Sequence, residues 1–379
     1  MEELAGDSRA ADPPSLPDDL LVEILLRLPP EPIYLFRASF VSKHWRCLVH
    51  DARFLRRFRE LHGRTPPVLG FFHPRGPPLF VPTSSGFAFS TATISCQDDC
   101  WLYDCRHGRA LLDSYRTGTL LVLDLMTGDE RYVPLPAQAL GNMELNGAVL
   151  CAAGHADHTD CHSCPFLVAF VFSHQVDSVT SACLYSSETG AWGEIASIHA
   201  PYCLIATKPA ALIGNILYWL LENTSILEFD KDKNSLDFVE EVPRDYDQII
   251  IMPTEDGLLG FAGVDGFCLH LWSKVAGIDG VVTWTRIRVI DMEKLLAPEA
   301  VAACVVGRYG VDPIGYAEDA DVIFVDVYPS FYMIHLKSLK IEEVPAKRIC
   351  SHIFPYASFY APGIMSGGGD DQDELLNSN

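Results

Sequence analysis

Six side chains able to bind metal or carry redox chemistry crowd into one short stretch: Cys151, His155, His158, Cys161, His162 and Cys164. The order His-x-x-His-x-x-Cys-x-x-Cys contains four potential zinc ligands. Two residues between successive ligands leave little chain to wrap a tetrahedron, and the segment reads as a hairpin loop ahead of a strand at 166–172. The expectation is a polar loop with free thiols and no bound metal. Cys161 and Cys164 also form a Cys-x-x-Cys. A redox pair gains its reactive thiolate from a helix N-terminus, however, and here a strand follows. Cys96, Cys100 and Cys105, with His107, make a looser group that scatter explains.

Other catalytic signatures are missing. There is no Gly-x-Ser-x-Gly elbow, phosphate loop, His-Glu-x-x-His or dinucleotide fingerprint. The acid pairs Glu240-Glu241 and Glu342-Glu343 fall in strand and turn segments, where solvated charge is their ordinary use. A non-catalytic chain without cofactor is expected. Arg53, Arg56, Arg57, Arg59 and Arg64 suggest a nucleic-acid patch, against which stand a solvated helix face or a contact with acidic surface elsewhere in the chain. The net charge of −22 weighs on the side of the latter: residues 1–15 carry −3, residues 16–64 carry +3, and residues 65–379 carry −22. Phosphate backbones are bound by Lys and Arg displacing counterions, so no nucleic-acid partner is expected.

Of the 379 residues, 49% are apolar and 21% charged, enough apolar surface to fold and too much for wholesale disorder. That length exceeds what one core usually serves, so a small and a larger domain are expected. No apolar run approaches the roughly 18 residues a membrane helix needs. The opening MEELAGDSRAADPP is acidic where a secretory leader is basic and then apolar. Twelve cysteines without regular pairing read mainly as buried thiols of a reducing compartment, not as a disulfide framework. Cytoplasm or nucleus, with no membrane contact, is the expected location.

Residues 1–14 read as a disordered lead, 15–63 as a helical module, 64–82 as a Pro-rich connector, 83–363 as a β domain and 364–379 as a disordered acidic tail. In the helical module Pro17 opens a first helix, Asp18 and Asp19 favour its positive end, and Pro29-Pro30 stop it. Glu23 and Arg27, four apart, form a surface pair, while Leu20, Leu21, Val22, Ile24, Leu25, Leu26 and Leu28 wrap most of the circumference. A second helix holds Ile33 to Phe36. A third places Val41, Trp45, Leu48 and Val49 at helical spacing. Asp51 caps a fourth, with Phe54, Phe58 and Leu61 on one stripe. A module of this size buries too little to be comfortable alone, and its apolar belt exceeds its own core, so a protein partner is expected. Docking of the belt on the chain's own β domain is the competing view.

Beyond the prolines the period changes to short β-branched and aromatic runs broken by Gly, Asn, Asp and Pro. Examples are 120–123, 149–152, 166–172, 216–220, 226–229, 269–272, 284–289, 322–327 and 332–336. Helix is expected only at 292–296. Weak repeats of strand, tight turn and strand recur. Leu123 to Gly128 reaches Leu135-Pro136, Tyr185 to Gly190 reaches Trp192, and Phe229 to Asp232 reaches Val242-Pro243. Ile334 to Ser338 likewise reaches Val344-Pro345, and Leu271-Trp272 reaches Trp284. Their spacing is near that of propeller blades and predicts six or seven.

Leu16-Pro17-Asp18-Asp19-Leu20-Leu21, Ile24-Leu25, Leu28-Pro29, Val41-Ser42-Lys43-His44-Trp45-Arg46 and Phe54 resemble the F-box in order and spacing. Gly214-Asn215-Ile216-Leu217-Tyr218-Trp219, Phe229-Asp230, Leu271-Trp272 and Pro355 to Tyr360 are similar to the F-box-associated β-propeller of plant proteins. The fold class implied is a small all-α F-box module followed by an all-β propeller. The resemblance implies docking on a Skp-type adaptor, and through it on cullin and RING subunits. It assigns the adaptor contact to Leu16, Pro17, Leu20, Ile24, Leu28, Pro29, Val41, Ser42, Lys43 and Trp45, with Leu28 and Trp45 leaning toward the core.

The function implied is the substrate receptor of a ubiquitin ligase, acting by proximity alone. A non-catalytic F-box scaffold without ligase turnover, or a sugar-binding or hydrolytic propeller, are the alternatives. Residues 65–364 carry about −18, which predicts a protein substrate with basic segments meeting acids and exposed aromatics on propeller loops.

Overall fold

The structure is a computed structural model. It describes residues 16–63, 65–74, 79–83, 100–114, 117–125, 128–141, 144–153, 161, 164–174, 177–200, 204–222, 224–239, 242–243, 245–277, 282–307, 309–344 and 351–359. The chain divides into two compact units, Met1–Thr65 and Pro66–Asn379.

Four helices build the first unit: α1 (Asp18–Leu25), α2 (Pro32–Ser39), α3 (Lys43–Val49) and α4 (Ala52–His62). Their starts follow local chemistry. Asp18 and Asp19 occupy the first turn of α1, and a proline begins α2. Ser42 Oγ accepts from Trp45 N at 3.1 Å to cap α3. Asp51 Oδ1 accepts from Arg53 N at 2.8 Å and Phe54 N at 3.1 Å to cap α4. Val41 therefore precedes the third helix instead of lying within it. Leu21, Leu25, Leu26, Leu35, Ala38, Val49, Phe54 and Phe58 form the core. Leu61, expected on the buried stripe of α4, is 60% exposed, because the helix outlasts the small core beneath it.

The second unit is a six-bladed β-propeller. Val68–Phe72 (β1) and Phe80–Pro82 (β2) come first, then the blade Cys100–Arg106 (β3), Arg109–Ser114 (β4), Thr119–Asp124 (β5) and Glu130–Pro134 (β6). The next holds Glu144–Cys151 (β7), Phe166–His174 (β8), Val179–Ser186 (β9), Ala191–Trp192 (β10) and a flanking Ala196–His199 (β11). Ala211–Ile213 (β12), Ile216–Leu220 (β13), Ile226–Asp230 (β14) and Ser235–Val239 (β15) make another. Ile249–Pro253 (β16), Leu259–Asp265 (β17), Cys268–Ala276 (β18) and Val282–Asp291 (β19) follow. Val311–Ala317 (β20), Val322–Val327 (β21), Ser330–His335 (β22) and Ile341–Val344 (β23) complete the chain-consecutive sheets. Finally Phe354–Ala357 (β24) returns to pair antiparallel with β1, giving the order β2-β1-β24 and closing the ring.

The five sequence repeats are the third and fourth strands of five blades. Four of them share a left-handed residue in the turn: Gly128 at φ 77°, Gly190 at 68°, Asn234 at 50° and Leu339 at 56°. Glycine and asparagine tolerate that conformation, whereas leucine does not signal it. The repeat is accordingly faint at the last of these turns.

Two further expectations are corrected. The stretch 64–82 is not a plain connector, since it supplies β1 and β2. Pro66 and Pro67 precede β1, Pro74 follows it, and Pro82 ends the edge strand β2, all places where a missing N–H is tolerated. Helix is not confined to 292–296. A short turn at Met292–Lys294 leads into α5 (Pro298–Gly307), which begins with proline and Glu299. Its apolar residues lack a helical stripe, and Val306 is 86% exposed, so no periodicity marked it. Cys100 is disulfide-bonded, while Cys47, Cys105, Cys151, Cys161, Cys164, Cys183, Cys268 and Cys304 are free thiols. Pairing rests on Cβ geometry that spacing does not encode. No helix among the described residues is long and apolar enough to cross a membrane.

Candidate functional site

Two adjacent stripes on α1 divide the labour. Leu21 and Leu25 point into the core, at 4% and 1% exposure, while Leu16, Leu20 and Ile24 stand at 51%, 56% and 49%. Residues four apart share a face of a helix, so Leu20 and Ile24 form one apolar row, which Leu16 extends from the segment before the helix. Phe40 and Val41, at the α2 to α3 corner, are likewise exposed, as is Tyr34. Full burial of one such side chain contributes about 1.5–3 kcal/mol, so this surface is a strong protein-binding resource.

The remaining residues that the F-box resemblance assigned separate by role. Pro17, Pro29, Ser42 and Lys43 are exposed, and Ser42 also caps α3. Leu28 and Trp45 are half-buried against the core. Tyr34 and Phe40 are surface aromatics that the motif did not single out. A polar frame holds the module: His44 Nε2 lies 2.8 Å from Asp18 Oδ1, and Arg57 Nη2 donates to Glu23 Oε1 at 2.5 Å. His62 Nε2 is 2.9 Å from Leu26 O, and Arg27 Nη2 lies 3.9 Å from Glu23 Oε2. At least Arg57 is thus engaged within the module.

The cysteine-histidine loop is described only in part. His155, His158 and His162 lie outside the described residues. Arg109, buried on β4, donates through Nη2 to Cys161 O at 2.5 Å and Cys164 O at 2.6 Å. Burial, followed by Cys151 beside it, pushes the Cys161 thiol well above its ordinary range, which opposes thiolate reactivity.

Two concave regions mark the propeller. One is the central channel, a cavity of about 80 Å³ walled by the inner strands β3, β16, β20 and β24 and the segment before β12. Arg106 lies in its wall, with Nη2 donating to Ala210 O at 2.6 Å and approaching Glu318 Oε2 at 3.8 Å, and Nε 3.9 Å from Asp104 Oδ2. Lys208 Nζ donates to Gln248 Oε1 at 2.7 Å and Ile249 O at 3.1 Å. Burial lowers its pKa to about 8 despite Glu222 and Asp312.

The other is an open cleft on one face of the β17 to β19 sheet, lined by Asp245, Tyr246, Asp265, His270, Trp272, Trp284 and Arg286 among others. Tyr246 Oη accepts from Trp272 Nε1 at 2.8 Å and meets His270 Nδ1 at 2.8 Å. Arg286 sits 5.9 Å above the Trp272 ring, in cation–π range. Burial, then Arg286, lowers the His270 pKa. The buried Trp284 Nε1 has no hydrogen-bond partner among the described residues.

A helical N-terminal module bearing an exposed apolar row, followed by a six-bladed propeller, defines an F-box protein with a β-propeller domain. An F-box domain family model matches residues 13–57. The model described as "F-box protein AT5G49610-like, beta-propeller" matches residues 101–363, and the chain belongs to that family. Comparison with curated proteins gives no match. Among solved structures, a catalytically inactive virginiamycin B lyase from Staphylococcus aureus with quinupristin is similar at 13% identity and TM-score 0.32, covering 68% of this chain and 91% of that one. The Dos1 propeller is similar at 9% identity and TM-score 0.35, covering 67% and 59%. KlHsv2 with a loop replaced by a Gly-Ser linker is similar at 12% identity and TM-score 0.33, covering 50% and 58%.

Proposed function

We propose that the chain is the substrate-receptor subunit of a Skp-cullin-F-box ubiquitin ligase. Its helical module docks on a Skp-type adaptor, which connects it to cullin and RING subunits, while its propeller holds a protein substrate. The observation that carries this reading is the exposed row Leu16, Leu20 and Ile24 beside the buried pair Leu21 and Leu25. A standard interface concentrates its energy in a few buried apolar anchors, and this row has that form. The chain performs no chemistry itself. Bringing substrate and ubiquitin carrier together raises their effective concentration, and the bond is made by other subunits. Cytoplasm or nucleus is the compartment proposed.

For the substrate side, the cleft on the β17 to β19 sheet supports the expected mode of grip. Asp245 and Asp265 supply negative charge, and Trp272 and Trp284 supply apolar surface. A basic segment with an apolar anchor is the complementary partner.

The deciding experiment is co-purification of the chain with a Skp-type adaptor. Pro17→Ala combined with Leu20→Ala should remove the adaptor, because losing one buried anchor costs about 2 kcal/mol or more. Undiminished capture by that folded double variant would falsify the docking assignment.

A further inference from the structure

The cleft on the β17 to β19 sheet contains a fixed hydrogen-bond donor that the chain itself does not use. His270 on β18 pairs with Gly263 on β17, and the bare glycine leaves room for the Tyr246 ring, which a Cβ there would approach to 2.6 Å. Tyr246 Oη receives Trp272 Nε1 at 2.8 Å, so its own proton goes to its other neighbour among the described residues, His270 Nδ1, also at 2.8 Å. A ring nitrogen that accepts carries no proton, and the network thereby assigns the imidazole proton to Nε2. Burial, then Arg286, lowers the His270 pKa, which favours the uncharged ring. His270 is only 8% exposed. Its Nε2 nevertheless makes no hydrogen bond among the described residues and, unlike the sealed indole nitrogen of Trp284, keeps accessible surface in the cleft.

The surroundings limit what can meet that donor. Trp272 and Trp284 both pack on the buried Phe261, one stacked at 5.7 Å and the other edge-on at 5.1 Å, so the aromatic wall beside His270 is anchored. Asp245 and Asp265 border the cleft, and Arg286 is the one Lys or Arg among the described residues that line it. Two carboxylates against one guanidinium disfavour an anionic acceptor and favour a cation nearby. A peptide carbonyl beside a lysine or arginine side chain combines the uncharged acceptor with the cation. Because the donor is already held in place, an acceptor that reaches it loses little further freedom of the site.

We propose that His270 sets the specificity of this cleft: its Nε2–H donates to a main-chain carbonyl of the substrate's basic segment, whose lysine or arginine side chain meets Asp245 and Asp265. The inference rests on the reading that the cleft holds such a segment.

The test compares four probes on the full chain by saturation-transfer NMR: Nα-acetyl-lysine methylamide, its norleucine and glutamate counterparts, and pentylammonium, a cation without a carbonyl. The lysine probe should bind, with the norleucine probe weaker by about threefold, the glutamate probe weaker than the norleucine one, and pentylammonium weaker than the lysine probe by about tenfold. His270→Phe should weaken the lysine probe by about tenfold and leave pentylammonium unchanged, a selectivity that a merely structural role would not give. His270→Gln, which keeps an N–H donor, should restore the lysine probe. In wild-type protein with nitrogen-labelled histidine, where no variant has to fold, the lysine probe should shift the His270 Nε2–H resonance and pentylammonium should not. Equal binding of the lysine probe and pentylammonium, a glutamate probe that binds as well as lysine, or a His270→Phe effect that is absent or alike for both cations overturns the proposal. Lysine-probe binding that ignores His270 removes this inference alone and leaves the basic-segment reading standing, whereas no binding of the lysine probe removes both.

Discussion

Phe72 and Phe354 stand opposite each other on neighbouring antiparallel strands, where the start of the propeller meets its end. Both rings are buried in one cluster with Leu69, Phe80, Leu102 and Tyr356. Ring closure therefore depends on packing between residues that chain order places far apart, and loop closure is compensated only when both ends are present.

Phe354→Ala should destabilise the propeller by about 3–5 kcal/mol, the usual cost of truncating a buried phenylalanine. Urea unfolding followed by tryptophan fluorescence measures it. A loss below about 1 kcal/mol would show that β24 contributes little to closure.

On α1, neighbouring leucines should give opposite phenotypes. Leu25→Ala, at 1% exposure, should cost about 2–5 kcal/mol of module stability. Leu20→Asp should change stability by about 0.5 kcal/mol or less and still abolish adaptor capture. Hydrogen exchange of the module and co-purification separate the two effects.

Asp51→Ala removes the acceptor of the Arg53 and Phe54 amides at the start of α4. About 1 kcal/mol should be lost. Faster hydrogen exchange at those two amides, with the propeller amides unchanged, is the expected readout.

Lys208 sets a pH dependence whose sign follows from burial. Its folded pKa, about 8, lies below the unfolded value near 10.4, so between these values the unfolded chain binds more protons. Stability from this residue therefore rises with pH across that window, by about 3 kcal/mol at most. Lys208→Met should flatten the rise. Stability of wild type and variant compared from pH 7 to pH 10 gives the difference directly, and parallel curves would refute the assignment.

Much of this protein was legible in its residues because the relevant forces are local. The side-chain cap at Asp51, the proline that opens the first helix and the i, i+4 pairing of Glu23 with Arg27 act within one or two turns. Alternation of apolar residues and repeated turn residues likewise marked five blades. The exposed row of α1 was only half readable. Leu20, Leu21, Ile24 and Leu25 are all apolar, so hydrophobicity alone does not say which pair faces the core and which faces solvent.

Tertiary structure decided what depends on distant partners. The blade number is six because β24 pairs with β1 from the proline-rich stretch, a hydrogen-bonded register that prolines obscure in sequence and that no local pattern encodes. The chemistry of the channel is of the same kind. Arg106 gains its carboxylate Glu318 and its acceptor Ala210 O only when inner strands from separate blades converge. Composition determines that such charged groups exist, and the closed ring determines which of them lose water and therefore need one another.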